Sequence, residues 1–308
     1  MDNTTIPSVN NHKHLGLTLS EDAKWKGHIT LTLNKAWQRI GILRTLKFVV
    51  NRSTLENMYF WFIRPTLEYA DVVWDNCTNV LKQDIEDVQI EAARIVTGAT
   101  KLCNTQHMLS ELQWDYLESR RKHHRLGLMY KMNTGLTPHY LSNLLPTASQ
   151  DRYALRNSEN TPFIPCKTKL YSDFFIPATI RQWNNLPHSA RNAQSLQVFK
   201  TKLQTQKHKP TINYNSGARF NQILHCRLRL GCSSLNHDRY KKHITHSPLC
   251  TCGQAETQGN YLLHCPNHIS QRHQYFRNLP CPITVNTLLY VGGPITSRHK
   301  CPNCHKLT

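Results

Sequence analysis

The sequence predicts a mainly α protein: a helical bundle behind a short N-terminal β element, followed by a small, basic, zinc-binding C-terminal domain. Three observations predict it. Apolar residues recur at three- and four-residue steps through much of residues 21–135, the pattern of helices that each bury one face. A polar stretch at 145–168 containing Pro146, Pro162 and Pro165 interrupts that pattern. From residue 206 onward 13 Lys and Arg face only two acids, Asp238 and Glu256, and no Trp occurs.

Residues 14–19, His-Leu-Gly-Leu-Thr-Leu, form a strand-like run ending at Ser20, whose hydroxyl can cap a helix opening on Glu21 and Asp22. Ile29, Leu33, Trp37, Ile40 and Leu43 then mark one helical face. Ser53 and Glu56 make a capping box for a second helix through Leu55, Tyr59 and Phe62, which Pro65 should kink or stop. Ile85, Val88, Ala92 and Ile95 mark a third, closed by Gly98, and a fourth starts near Asp115 and runs toward Gly135. Short helices are expected at 180–186 and 195–203. The turn formers in 204–217 place a domain boundary there. The chain thus divides into 1–20, the strand element; 21–145, the bundle; 146–205, an extended strap with short helices; and 206–308, the basic Cys/His-rich region.

With 38 Lys and Arg against 19 Asp and Glu, the formal charge is +19. Such a balance favours a polyanionic partner, RNA or DNA, over an acidic small substrate. The longest uninterrupted apolar run, 58–63, is far too short to span a bilayer, so no membrane partner is expected. The N-terminus lacks a signal-peptide layout, which predicts an intracellular chain, in nucleus or cytoplasm. Eleven cysteines, an odd number, then suggest reduced thiols or metal ligands rather than a disulfide framework. From His225 onward lie eight of those cysteines and nine of the 18 histidines.

Cys250, Cys252 and Cys265 offer three thiolates within sixteen residues, and Gly253 lets the backbone turn tightly behind the second. Structural zinc is the expected cofactor, because it takes four such ligands in a tetrahedron. His268 is the first choice for the fourth: on a helix it shares a face with Cys265, three residues before it. His264 is the alternative, pointing about 100° away from Cys265, and His246 is a further candidate. Cys301 and Cys304, flanked by His299 and His305, have the spacing of a second zinc half-site.

Arg120, Arg121, Lys122 and Arg125 form the densest basic run and sit on the fourth predicted helix, with Arg121 and Arg125 on one face. They are candidates for nucleic-acid contact, although such a run also suits a solvated helix surface. Arg227, Arg229, Arg239, Lys241 and Lys242 are candidates for phosphate contact, and Tyr240 for stacking on an unpaired base. Trp25, Trp37, Trp61 and Trp114 recur within the apolar pattern and are read as core anchors. No phosphate-cradling glycine loop, His-Glu-x-x-His or nucleophile elbow occurs.

Several blocks, in order, resemble the region downstream of the catalytic motifs in LINE-type (non-LTR) retrotransposon reverse transcriptases. They are His14-Leu-Gly-Leu-Thr-Leu with Trp25; Arg64-Pro-Thr-Leu-Glu-Tyr-Ala-Asp-Val-Val-Trp74; Glu86-Asp-Val-Gln-Ile-Glu-Ala-Ala-Arg-Ile-Val-Thr-Gly98; Leu186-Pro187; Arg227-Leu-Arg-Leu-Gly-Cys232; and Cys250-Thr-Cys-Gly with Leu262 to Pro266. The resemblance implies a strand pair beside the primer end at 14–19, a thumb-like helical bundle gripping template and primer, and a C-terminal zinc knuckle. It also implies that the paired aspartates holding catalytic magnesium lie upstream, so no catalytic residue and no magnesium site are expected here, and the rest of the reverse transcriptase polypeptide is an expected partner. Tyr69-Ala70-Asp71 is no substitute, since Val72 follows and two-metal chemistry needs clustered carboxylates. One departure stands out: where the knuckle pattern has a histidine between its cysteines, this chain has Asn260. Two other readings stay open, a helical protein-interaction module whose charge serves solubility, and a decayed transposon remnant without function.

Overall fold

A computed structural model describes residues 9–146, 160–204, 218–277, 279 and 282–290. Among these the protein is mainly helical, with sixteen α-helical segments and one two-stranded antiparallel sheet. Two compact units partition the chain discontinuously. Over the described residues, one draws on 9–39, Phe62–Gln89 and 115–204, the other on Ile40–Trp61, Ile90–Trp114 and 218–290.

In the first unit, Asn11–His14 pairs with Leu17–Ser20 in the register Asn11↔Ser20 to His14↔Leu17. The strand-like run expected at 14–19 is thus part of a hairpin that begins at Asn11 and bends at Leu15 and Gly16, both at positive φ (45° and 82°), as a tight two-residue hairpin turn requires. Tyr69 holds the bend: its hydroxyl donates to the Leu15 carbonyl at 2.6 Å, and a Cβ on Gly16 would lie 3.2 Å from its ring. The helix expected at Glu21 begins at Lys26. Ser20 serves the preceding turn instead, its Oγ lying 2.5 Å from Asp22 Oδ1 and 2.6 Å from the Lys24 carbonyl, local bonding that competes with a helix start. Trp25 anchors the turn by donating to Asn76 Oδ1 at 2.6 Å.

Helix Leu117–Asn133 is the axis of this unit. Glu86 accepts from the Leu117 amide at 3.0 Å, satisfying a donor that the helix itself leaves unpaired. The short helices expected at 180–186 and 195–203 form as Phe175–Asn184 and Leu196–Leu203 and pack on it. Leu126, Met129, Tyr130, Ile180, Trp183 and Phe199 form their shared core, with the Tyr130 and Phe199 rings stacked at 4.7 Å.

In the second unit, Arg219 closes two helix ends. Its guanidinium donates to the Lys47 carbonyl at 3.0 Å and to those of Ile95 and Val96 at 2.9 and 2.8 Å, replacing hydrogen bonds that helix C-termini lack. Burial lowers its pKa to about 10, and the nearby Arg52 adds to the effect. Helix Thr105–Leu112, not anticipated from the sequence, is capped by Asn104, which accepts from the His107 amide.

Two of the four tryptophans expected in the core lie outside it. Trp25 and Trp114 are buried, whereas Trp37 is 37% and Trp61 81% exposed. Residues Tyr59–Ile63 form a π-helical turn, whose wide pitch puts Tyr59 and Ile63 inward and turns Trp61 and Phe62 out. Pro65 follows at the first turn of helix Arg64–Glu68, where its missing N–H costs nothing.

Candidate metal centre and nucleic-acid interface

The cysteine cluster is assembled by two short stretches of backbone in the second unit. Leu249 and Ala255 form an isolated antiparallel bridge, and between them the Cys250 amide donates to the Gln254 carbonyl at 2.7 Å while the Gly253 amide donates to that of Cys250 at 2.9 Å. Gly253 has φ +84°, a conformation other residues adopt only with strain. From the other side, the π-helical turn Asn260–His264 ends on Cys265, whose amide donates to the Asn260 carbonyl at 2.7 Å. Asn236 ties the loop down by donating to the Leu249 carbonyl at 2.9 Å, and Asn267 bridges to Thr251 at 2.8 Å.

This arrangement brings the sulfurs of Cys250, Cys252 and Cys265 within 4.8 Å of one another. Cys250 Sγ and Cys265 Sγ are 3.8 Å apart. For a tetrahedral ion with metal–sulfur bonds of about 2.3 Å, the sulfur–sulfur edge is about 3.8 Å, so the pair is spaced as two ligands of one zinc-sized ion. The Gln254 amide and the Asn260 side chain hold the Cys252 thiol down to about 7, while burial pushes Cys265 up. The three thiols are therefore close enough together to hold one metal ion, and such a donor set is soft enough for zinc.

His268 and His264 lie outside this group. His268 begins no shared helical face with Cys265, because Pro266–His268 is a 3-10 turn; its ring packs edge-on against Tyr261 at 4.8 Å. His264 and His246 are exposed. Asn260 fills the space beside the thiols instead, with Nδ2 3.7 Å from Cys252 Sγ. The half-site residues Cys301 and Cys304 lie outside the described residues.

The basic candidates separate into two sets. Arg120 pairs with Glu68, Arg121 with Asp75 at 2.9 Å and Arg125 with Asp75 at 2.6 Å. These three guanidiniums are thus engaged within the first unit, and of the four candidates on this helix only Lys122 is exposed. Arg229 pairs with Glu111 at 2.8 Å, the same carboxylate that Arg52 meets at 3.2 Å, and Arg227 donates to the Gly98 carbonyl at 2.7 Å. Arg239 and Lys242 are half-buried, while Tyr240 and Lys241 are exposed at the end of helix Asn236–Tyr240.

A basic feature that the sequence did not single out lies on the first unit. Lys13, Gly16, Thr18, His28, Leu31, Thr32, Lys35, Arg39, Pro65, Thr66 and Tyr69 line a groove of about 540 Å3 without a single carboxylate. Arg39 is braced at its wall by donating to the Phe62 carbonyl at 2.5 Å and to Thr66. Thr18 donates its amide to His28 Nδ1 at 3.4 Å, and burial, with Lys35 nearby, lowers the His28 pKa from 6.5. His28, Lys35 and Arg39 share one face of helix Lys26–Leu46, whereas Lys13 and Tyr69 reach the groove from the hairpin and from beyond the next helices, which local spacing does not connect. The tempting Asp71 is spent elsewhere, paired with His124 Nδ1 at 2.6 Å.

No family model matches the chain, and no curated protein or solved structure matches it. No helix among the described residues is long and apolar enough to cross a membrane.

Proposed function

We propose that the chain binds nucleic acid, as the thumb-like and knuckle-bearing region that follows the palm of a LINE-type reverse transcriptase, and that it has no polymerase centre of its own. The observation that carries this reading is the groove on the first unit. Its lining has two exposed lysines, Lys13 and Lys35, a braced Arg39 and no acid, a composition that attracts phosphate and repels nothing about it. Its position against the hairpin agrees with the strand pair that the resemblance puts beside the primer end. Lys241 and Tyr240 supply a second exposed basic and aromatic surface suited to an unpaired strand.

Zinc is the structural cofactor in this reading. Cys250, Cys252 and Cys265 hold it, and its role is to fix the turn that carries them, since three converging thiolates are mutually repulsive without a cation. The Asp75 carboxylate of the first unit neutralises buried guanidiniums, so it supports packing and not two-metal phosphoryl transfer.

The test is binding of RNA, DNA and hybrid duplexes across a salt series. Neutralising about five phosphates gives a log–log slope near −4. Removing the charge at both lysines together, as Lys13→Gln with Lys35→Gln, should weaken binding and flatten that slope by about 2, roughly one for each lysine. Binding that ignores salt, or that survives the double substitution unchanged, would rule the groove out.

A further inference from the structure

We infer that Asn260 is the fourth ligand of the cysteine site, binding the metal through its side-chain oxygen. This rests on the reading of the three thiolates as a zinc site. Asn260 is only 6% exposed, and its Oδ1 is buried with no hydrogen-bond partner among the described residues. An unsatisfied buried carbonyl oxygen costs about 1–3 kcal/mol, so its placement calls for a compensating group. The carboxamide is held in place from its own backbone: the Asn260 amide donates to Thr257 Oγ1 at 3.2 Å and its carbonyl accepts from the Cys265 amide at 2.7 Å.

The carboxamide Nδ2, whose position the oxygen takes when the group is turned over, lies 3.7 Å from Cys252 Sγ. In a tetrahedron with metal–sulfur and metal–oxygen bonds of about 2.3 and 2.1 Å, a sulfur–oxygen edge is about 3.6 Å. Asn260 therefore stands from Cys252 at the distance of a neighbouring corner. A half-turn of the carboxamide exchanges its oxygen and nitrogen. With nitrogen toward the sulfur, the oxygen is orphaned; with oxygen toward the sulfur, it faces a thiolate. Neither arrangement is satisfied by the described protein groups alone, and a dication bound to the three sulfurs satisfies the second. The histidines do not compete for this corner, since neither His264 nor His268 joins the group.

The ligand role and a mere hydrogen-bond role differ in sign for one isosteric change. Asn260→Asp replaces a neutral oxygen by an anionic one, a better zinc ligand, but it removes the N–H that could donate to Cys252. The full-length protein, reduced and apo, is titrated anaerobically with cobalt(II) and then with zinc against a chelator. Expected for the parent is one tetrahedral cobalt per chain with intense thiolate charge-transfer bands. Asn260→Asp and Asn260→His should each bind zinc at least about tenfold more tightly, and Asn260→Ala about tenfold more weakly. The d–d bands should move in Asn260→His while the charge-transfer intensity of three thiolates stays constant. Weaker binding in Asn260→Asp, or loss of tetrahedral cobalt in His268→Ala, overturns the assignment while leaving the zinc reading intact. A parent chain that takes up no cobalt overturns both.

Discussion

Arg121 and Asp75 are joined at 2.9 Å and are 2% and 4% exposed at their side chains. A residue from the densest basic run of the chain is thus a buried structural cation. Asp75 also receives Arg125 at 2.6 Å and Lys82 at 3.5 Å, so one carboxylate compensates several cations in a place where water cannot. Removing it leaves guanidiniums buried and unpaired, which costs far more than an exposed ion pair is worth.

Asp75→Asn should therefore destabilise the protein by about 3–5 kcal/mol, as breaking a buried pair does. Arg121→Met should cost less than Arg121→Ala, because the methionine refills the volume. Urea unfolding followed by circular dichroism checks both. If Arg121 served nucleic acid instead, the variants would keep their denaturation midpoint and lose affinity.

Gly98 illustrates a requirement set by two conditions at once. Its φ is +71°, and a Cβ there would fall 2.5 Å from Ile223 Cγ1. Gly98→Ala should lose roughly 2–4 kcal/mol, from left-handed strain and overpacking together. Measured within an Ile223→Ala background, which is itself destabilised by the cavity it leaves, Gly98→Ala should cost only about 1 kcal/mol, the backbone share, because the clash is gone. A double-mutant cycle in urea measures the coupling, and additive single effects would show that the two residues do not clash.

The helical periods were legible because they are local. Ile85, Val88, Ala92 and Ile95 are all buried in helix Asn79–Thr97, and Gly98 does end it. What stayed hidden depends on partners distant in sequence or on unusual backbone. The acids that neutralise Arg120, Arg121 and Arg125 are Glu68 and Asp75, some 50 residues away, so a count of neighbouring charges could not reveal them. Trp61 faces outward because a π turn breaks the 3.6-residue period, and Leu15 takes a positive φ that its side chain disfavours. The three cysteines were visible from spacing alone. The part proposed for Asn260 was not, since its type argues against ligation, and its burial, its unpartnered oxygen and its place beside Cys252 exist only in the folded chain.

His28 gives the first unit a pH dependence of definite sign. Its pKa is lowered from 6.5, by burial first and Lys35 second, and its Nδ1 must be unprotonated to accept from the Thr18 amide. The folded state therefore binds fewer protons than the unfolded state between the two pKa values, and stability rises with pH through that window. His28 costs nothing above the unfolded value of 6.5 and becomes destabilising as pH falls below it. The urea midpoint should drop between about pH 8 and about pH 5.5, on either side of the histidine range, and His28→Gln should shrink that drop. His123 and His225 are lowered in the same direction by burial, so the variant removes a share of the effect and not all of it. An equal drop in parent and variant would show that His28 does not contribute.

Metal removal should act locally, because the thiolates are gathered by loops and not by a packed helix core. Cys265 is 1% exposed, yet the elements around it are a π turn, a 3-10 turn and an eight-residue helix, none long enough to be stable by itself. Without a cation, three thiols converge on a buried oxygen that no described residue satisfies, and ionising Cys252 adds repulsion. A chelator should therefore raise amide exchange in 249–276 by at least about tenfold, the loss of a structural ion being a loss of folding free energy. Helix Leu117–Asn133, with its own core of Tyr130, Trp183 and Phe199, should keep its protection. Hydrogen exchange read by mass spectrometry separates the two outcomes, and protection in 249–276 that is indifferent to chelator would mean that hydrogen bonds from Asn236, Gln254 and Asn267 hold this loop without an ion.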